Sequence, residues 1–360
     1  MLVTDAQGCT ISSSVNVAQP TILNSSLISS TPVSCFGGNN GSGNITANGG
    51  SGPYIFSWSP SGGNLSSASG LAAGNYNVTV TDAHNCVSTT SINIVQPPVL
   101  LSSIASFGNA MCYGDSSGYA TVTQSGGTPP YSYTWTPNSD NSPSATGLRA
   151  GNYSVTITDV NGCNSASTIT ISEPSPIAMN LVSSVDVSCF GGSDGSAVLT
   201  TTGGTSAYTY QWPSSSVTGP SENNLSSGNY NVEVTDVNNC KDTISIAINQ
   251  PAVLSSSVSS TNTKCFGSMD GFAAATPSGG TGPYTFLWSP GNSSTNLYTG
   301  VSSGNYDVTI TDSKGCTYTS SAIINQPTDL NLSVTTINST CGNSNGKVIV
   351  DVTGGTTRTP

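Results

Sequence analysis

The sequence predicts an all-β chain: a tandem array of small two-sheet sandwich repeats, about 77 residues each, set end to end. Three observations carry this. Landmarks recur on one ruler: Trp58, Trp135, Trp212 and Trp288 are spaced by 77, 77 and 76 residues. Pro20, Pro97, Pro174, Pro251 and Pro327, each after Gln or Glu, keep the same step, as do the Gly-Asn-Tyr tyrosines Tyr76, Tyr153, Tyr230 and Tyr306. Such self-similarity is the signature of a repeat architecture. Val, Ile, Tyr and Thr alternate with polar residues, a period of two that suits strands. Only 6% of the 360 residues are charged, and Gly numbers 40; soluble domains average about 25% charged, and helix formers are scarce.

The repeat 98–174 is typical of the four. Residues 99–111 are apolar and Ser-rich and read as a first strand. Cys112 opens Tyr113-Gly114-Asp115-Ser116-Ser117-Gly118, a turn rich in Gly and Asp. A second strand follows over 119–123, then the turn Gly126-Gly127-Thr128-Pro129-Pro130. The strand 131–135 carries Tyr131, Tyr133 and Trp135 at i, i+2 and i+4, hence on one face. A Pro/Asn/Ser stretch leaves room for short strands to Leu148. Arg149-Ala150-Gly151-Asn152 turns into a strand over 153–157 with Tyr153, Val155 and Ile157 on one face. Asp159-Val160-Asn161-Gly162 is a tight turn, and a last strand runs from Cys163 toward Glu173-Pro174. About seven short strands per repeat, with no helical periodicity, point to a two-sheet sandwich. Trp58, Trp135, Trp212 and Trp288 then suit core positions between the sheets. Tyr76, Tyr153, Tyr230 and Tyr306 stand where a tyrosine corner would be.

The ruler divides the chain into a partial repeat over 1–20 (the C-terminal end of one), repeats at 21–97, 98–174, 175–251 and 252–327, and a partial repeat over 328–360 (the N-terminal end of one). Val3-Thr4-Asp5-Ala6-Gln7-Gly8-Cys9 matches Val80-Thr81-Asp82-Ala83-His84-Asn85-Cys86, deep inside a repeat. Gly354-Gly355-Thr356-Thr357-Arg358-Thr359-Pro360 matches the turn that begins at Gly126. The sequence is therefore expected to be a segment of a longer array.

At this point a family resemblance becomes specific. Cys189-Phe190-Gly191-Gly192-Ser193-Asp194-Gly195-Ser196, Gly203-Gly204-Thr205, Tyr208-Thr209-Tyr210-Gln211-Trp212, Leu225-Ser226-Ser227-Gly228-Asn229-Tyr230 and Thr235-Asp236-Val237-Asn238-Asn239-Cys240 resemble the SprB-type repeat. They are also similar to PKD-type, immunoglobulin-like sandwiches. Ala207 departs from the pattern, standing where a proline is usual before Tyr208. The resemblance implies giant cell-surface adhesins of gliding Bacteroidetes, exported by the type IX secretion system. It therefore implies an extracellular stalk, adhesin or filament at the cell surface.

Ten cysteines fall at Cys9, Cys35, Cys86, Cys112, Cys163, Cys189, Cys240, Cys265, Cys316 and Cys341. Small cores are marginal, and disulfides, which persist outside the reducing cytosol, are the usual remedy. Three regular pairings exist. One joins the first cysteine of a repeat to the second of the next: 35–163, 112–240 and 189–316. One stays within a repeat: 35–86, 112–163, 189–240 and 265–316. One joins neighbours in sequence: 9–35, 86–112, 163–189, 240–265 and 316–341. In an Ig-like or PKD-like sandwich the two cysteines of a repeat lie at opposite poles, roughly 20–26 Å apart. A disulfide needs Cα atoms within about 7 Å. The inter-repeat scheme is therefore favoured, and the intra-repeat scheme stays as the alternative because small secreted modules usually bridge within themselves.

Composition excludes several function classes. Arg149, Lys241, Lys264, Lys314, Lys347 and Arg358 are the only basic residues apart from one histidine, and the formal charge is −11. A phosphate backbone needs a basic stripe, so no nucleic-acid partner is expected. No run of 18 apolar residues is present, so no membrane insertion is expected of this segment. His84 stands where the other repeats carry Gln7, Asn161, Asn238 and Lys314, the mark of a solvated turn residue. No serine sits on a nucleophile elbow, and Gly49-Gly50 is a turn rather than a phosphate cradle. No catalytic residue and no enzyme activity are expected. Asp82, Asp115, Asp159, Asp194, Asp236, Asp270 and Asp312 cluster by pole and are weak calcium candidates; Asx-turn chemistry is the stronger reading, and no cofactor is expected. In the repeat 21–97 the equivalent of Asp115 is Asn40 or Asn39. Asp242-Thr243-Ile244 resembles a Bacteroidetes O-glycosylation site. The function expected is a non-catalytic stalk or filament segment of a large secreted adhesin. Its partners would be neighbouring repeats of the same chain or copies of itself in a filament. The alternatives are a glycan-binding array, for which Tyr54, Phe56 and Trp58 would have to be exposed, and a spacer in a secreted polysaccharide-degrading enzyme.

Overall fold

The structure is a computed structural model that describes residues 1–213 and 215–356. The turn expected over 354–360 is thus described only to Thr356; Thr357, Arg358, Thr359 and Pro360 lie outside the described residues. The chain forms two compact units, Met1–Ser175 and Pro176–Pro360.

The first unit opens with the hairpin β1 (Leu2–Thr4) and β2 (Thr10–Ser12). Its first full repeat holds β3 (Asn24–Thr31), β4 (Gly41–Asn48), β5 (Ile55–Ser59), β6 (Ser67–Leu71), β7 (Gly74–Thr81) and β8 (Val87–Ile94). These make two three-stranded antiparallel sheets, in the orders β3-β4-β6 and β5-β7-β8. The second repeat has the same plan in β9 (Leu101–Gly108), β10 (Gly118–Ser125), β11 (Tyr131–Thr136), β12 (Ser144–Leu148), β13 (Gly151–Asp159) and β14 (Asn164–Ile171).

The second unit repeats the plan twice. One sandwich is β15 (Ala178–Val185), β16 (Gly195–Thr202), β17 (Tyr208–Gln211), β18 (Ser221–Leu225), β19 (Gly228–Asp236) and β20 (Lys241–Ile248). The other is β21 (Ser255–Thr261), β22 (Gly271–Ser278), β23 (Thr285–Ser289), β24 (Leu297–Val301), β25 (Gly304–Thr311) and β26 (Thr317–Ile324). The hairpin β27 (Asn331–Ile337) and β28 (Lys347–Thr353) closes the unit.

Among the described residues each sandwich has six strands where the spacing suggests about seven. The stretch between the aromatic strand and the Gly-Asn-Tyr strand supplies one strand, not two. Its first part is a loop wrapped on the tryptophan, which takes up the loop's carbonyls. Trp135 donates its backbone N–H to Asp140 O and its indole Nε1–H to Ser142 O, at 3.0 and 3.1 Å. The indoles of Trp58, Trp212 and Trp288 donate to Leu65, Gly219 and Thr295 in the same way, each seven residues on. A buried indole N–H needs such a partner, so the loop cannot leave to form a strand.

The cores are built by alternation. In β13 every second side chain, Tyr153, Val155 and Ile157, is buried, and Trp135, Ala120, Val122, Leu148 and Ile171 close on them. Trp58, Tyr76, Val78 and Val80 do the same in the first repeat. The third and fourth cores form around Trp212 and Trp288. The four tryptophans are 0–6% exposed. Tyr76, Tyr153, Tyr230 and Tyr306 each donate their hydroxyl to the backbone carbonyl four residues upstream, at Ala72, Arg149, Ser226 and Ser302. That is a tyrosine corner. The peptide bond before Ala207 is cis, as are those before Pro53, Pro130 and Pro283.

Candidate functional site

Chemistry-bearing side chains concentrate at the two ends of each sandwich. At one end the first cysteine of a repeat sits in a loop between the first two strands. In the first repeat Gly37 donates its N–H to Gln96 Oε1 at 2.7 Å, and Val33 N–H reaches Val95 O, so this loop lies against the far end of β8. Glu173, Gln250 and Gln326 hold the loops at Gly114, Gly191 and Gly267 identically. This explains the Gln or Glu before each repeat-ending proline. The second cysteine, Cys86, stands just before β8 begins. Eight residues of strand lie between the two ends, roughly 26 Å at the usual rise.

An intra-repeat bridge is therefore out of reach, and the structure pairs the cysteines otherwise. Cys35 is bonded to Cys163 across two repeats of the first unit, with Cα atoms 5.6 Å apart. Cys189 is bonded to Cys316 in the second unit, at 5.7 Å. The alternative of 35–86, 112–163, 189–240 and 265–316 is corrected accordingly: Cys35, Cys163, Cys189 and Cys316 are committed elsewhere, because each repeat holds its two cysteines at opposite ends. Cys112 and Cys240 are disulfide-bonded as well. Cys9, Cys86, Cys265 and Cys341 are exposed free thiols.

The carboxylates at the second cysteine are spent on backbone. Asp159 Oδ2 accepts from Thr128 N–H, and Oδ1 accepts from Asn161 and Cys163 N–H, all at 2.9 Å. Asp82, Asp236 and Asp312 make the same three bonds, to Ser51, His84 and Cys86, to Thr205, Asn238 and Cys240, and to Thr281, Lys314 and Cys316. One buried aspartate thus ties the turn before the second cysteine to the Gly-Gly turn. For Asp159, Asp236 and Asp312 burial raises the carboxyl pKa, but the convergent N–H donors outweigh it and leave it below the ordinary value. For Asp82 the Ser51 N–H is the largest influence, and the direction is again downward.

At the first cysteine Asp115 accepts from Cys112 and Ser117 N–H, Asp194 from Ser188 N–H, and Asp270 from Lys264 N–H and the Ser268 hydroxyl. All three carboxyls are held low, by Ser117 first for Asp115, by Ser188 for Asp194 and by Ser268 for Asp270. Asn40 caps the same loop in the first repeat by accepting from Ser34 N–H. Among the described residues no three His, Cys, Asp or Glu side chains are grouped to hold a metal ion. The aspartates weighed as calcium ligands are placed as turn anchors.

His84 is exposed, and its backbone N–H is what bonds Asp82. The aromatic strand faces inward: Trp58 is buried, while Tyr54 and Phe56 are half-buried against the core. Tyr54 also donates its hydroxyl to Gly49 O, bracing the Gly-Gly turn. Thr243 lies exposed on β20. Among the described residues no helix is long and apolar enough to cross a membrane. Sequence reading missed one repeated element, the Gln/Glu clamp on the first-cysteine loop; its signal was the Gln or Glu before each proline.

The SprB repeat model matches at four places, residues 27–63, 105–140, 181–217 and 257–293. A comparison with curated protein sequences gives no match. Among solved structures, the three N-terminal domains of the bacteriophage RB49 highly immunogenic outer capsid protein are 13% identical, with a TM-score of 0.34. That alignment covers 63% of this chain and 99% of theirs. The bacterial integrin-binding protein invasin gives 11% identity and a TM-score of 0.32, over 88% of this chain and 82% of that one. The N-terminal eight Ig domains of Down syndrome cell adhesion molecule give 12% and 0.29, over 98% and 54%. Each matched segment runs from the first strand of a sandwich past its buried tryptophan, so the chain carries the SprB repeat at four tandem positions.

Proposed function

We propose that this chain is a non-catalytic stalk segment of a large secreted cell-surface adhesin, of the kind gliding Bacteroidetes export by type IX secretion. One observation carries the reading: covalent bonds join one repeat to its successor rather than closing each repeat on itself. A bridge inside a repeat would constrain that repeat alone, whereas a bridge to the next repeat acts only within the array. The other chemistry-bearing groups support the same reading. Carboxylates anchor turns, and the tryptophans fill cores. Disulfides belong to an oxidising compartment, which suits the cell surface. The glycan-binding reading required an exposed aromatic strand, and the inward-facing strand speaks against it.

The test is on the parent protein in its own cell. Antibody against these repeats should label intact cells. Deleting two repeats should bring a distal epitope closer to the cell surface by roughly 70–80 Å, from strand rise plus loops, with no change in hydrolysis of any polysaccharide. Labelling only after lysis, or an unchanged epitope height, would overturn the proposal.

A further inference from the structure

The bond pattern has a mechanical consequence. Cys35 and Cys163 are 128 residues apart in sequence, and Cys189 and Cys316 are 127 apart, yet each pair is joined directly. Tension entering from the N-terminal side reaches Cys35 and crosses to Cys163. It then follows 26 residue steps of backbone to Cys189 and crosses again to Cys316. Residues 36–162 and 190–315 hang inside the two loops. Sixteen residues of the 26-step stretch already lie in extended strands, eight in β14 and eight in β15.

We propose that this array acts as a tether of limited extension, in which tension runs through the disulfides and the edge strands β14 and β15 and bypasses the strands enclosed by each loop. All four core tryptophans lie inside the loops: Trp58 and Trp135 in the first, Trp212 and Trp288 in the second. Without the bonds, each repeat would be in series with the load. A pulled repeat would then lengthen severalfold as it unfolds, since an extended chain reaches about 3.3–3.6 Å per residue. With them, 281 residue steps from Cys35 to Cys316 are replaced under load by 26 steps and two bridges. The inference deepens the stalk reading by giving the stalk a bounded length under drag. It depends only on how the chain is bonded.

Single-molecule pulling tests it, with handles ligated enzymatically at the two termini so that no cysteine is used. The oxidised chain offers 34 steps before Cys35, 26 between the bridges and 44 after Cys316. Its full extension should stop at roughly 370 Å, against roughly 1,250 Å after reduction. Steps of whole-repeat size should appear only in the reduced chain. The double variant Cys35→Ser/Cys163→Ser should lengthen the oxidised limit by about 350–450 Å. The limit is set by covalent connectivity, so it can be read whether or not the variant folds. An oxidised chain that extends well past 450 Å, or a limit that neither reduction nor the variant moves, overturns the inference. Failure of the stalk reading would show in cell labelling and leave these lengths unchanged.

Discussion

At the scale of single residues, the aspartate before each second cysteine does the most. Its two oxygens collect three N–H groups from two turns that are about 31 residues apart in sequence. The folded carboxyl pKa is depressed, so the unfolded chain binds the proton more readily. The stabilisation is present above the unfolded value of about 3.9 and is lost as pH falls through the lower folded value. Four such aspartates repeat the effect, so thermal unfolding followed by circular dichroism should show stability flat near neutrality and dropping below about pH 4. Asp236→Asn should flatten part of that acid limb. A limb that stays unchanged would assign it to other groups. Trp135 is the second such residue. Replacing it with alanine empties a site closed by both sheets and should cost about 3–5 kcal/mol, measured by denaturant unfolding.

At the scale of the element, the Gly-Gly turn joins the two sheets of each sandwich. Gly126 has φ +71°, and a Cβ there would come within 2.0 Å of Val99 O. The space is closed because the turn packs on the strand entry, where Gly127 N–H bonds Pro98 O and Tyr131 braces Gly126 O. Gly126→Ala therefore meets both an unfavourable φ and a backbone clash. It should destabilise the second repeat by more than the ~1 kcal/mol typical of a strained glycine site. An exposed turn glycine such as Gly114, also at positive φ but with nothing within 4 Å, should cost less when replaced in the same way. Equal losses at the two sites would mean that conformation alone, not the close approach, governs the turn.

At the scale of the whole molecule, the bonds between repeats couple stabilities that would otherwise be independent. A loop of 128 residues removes roughly 5 kcal/mol of chain entropy from the unfolded state on the loop-closure model, less any native strain. Cys35→Ala/Cys163→Ala should therefore lower the stability of two repeats together. Hydrogen exchange read separately over 21–97 and 98–174 should show protection falling in both. A fall confined to one would mean the bond fastens a single repeat rather than coupling two. Non-reducing peptide mapping should find the peptides of Cys189 and Cys316 linked.

Much of this was legible in the sequence, and the reason is periodicity. Four copies of one pattern let Trp135, Tyr153 and the Gly-Gly turn be assigned by coincidence of spacing, and a strand period of two says which face is buried without knowledge of the partner sheet. The sequence by itself determined the all-β class, the repeat length and the core tryptophans, because these depend on interactions local in the chain or repeated along it. It suggested a seventh strand, since nothing in the run 136–143 shows that its carbonyls will be taken by an indole and a backbone N–H of Trp135. Among the cysteine pairings it favoured the inter-repeat scheme but left the intra-repeat one open. Three regular schemes fit the same spacing, and the choice turns on which strand end each cysteine occupies. That is fixed by Gln96 holding the Cys35 loop at the far end of β8 while Cys86 stands just before its start. Only the tertiary structure decided that Cys35 meets Cys163 and Cys189 meets Cys316, because a disulfide forms where two Cα atoms come within reach, whatever their separation along the chain.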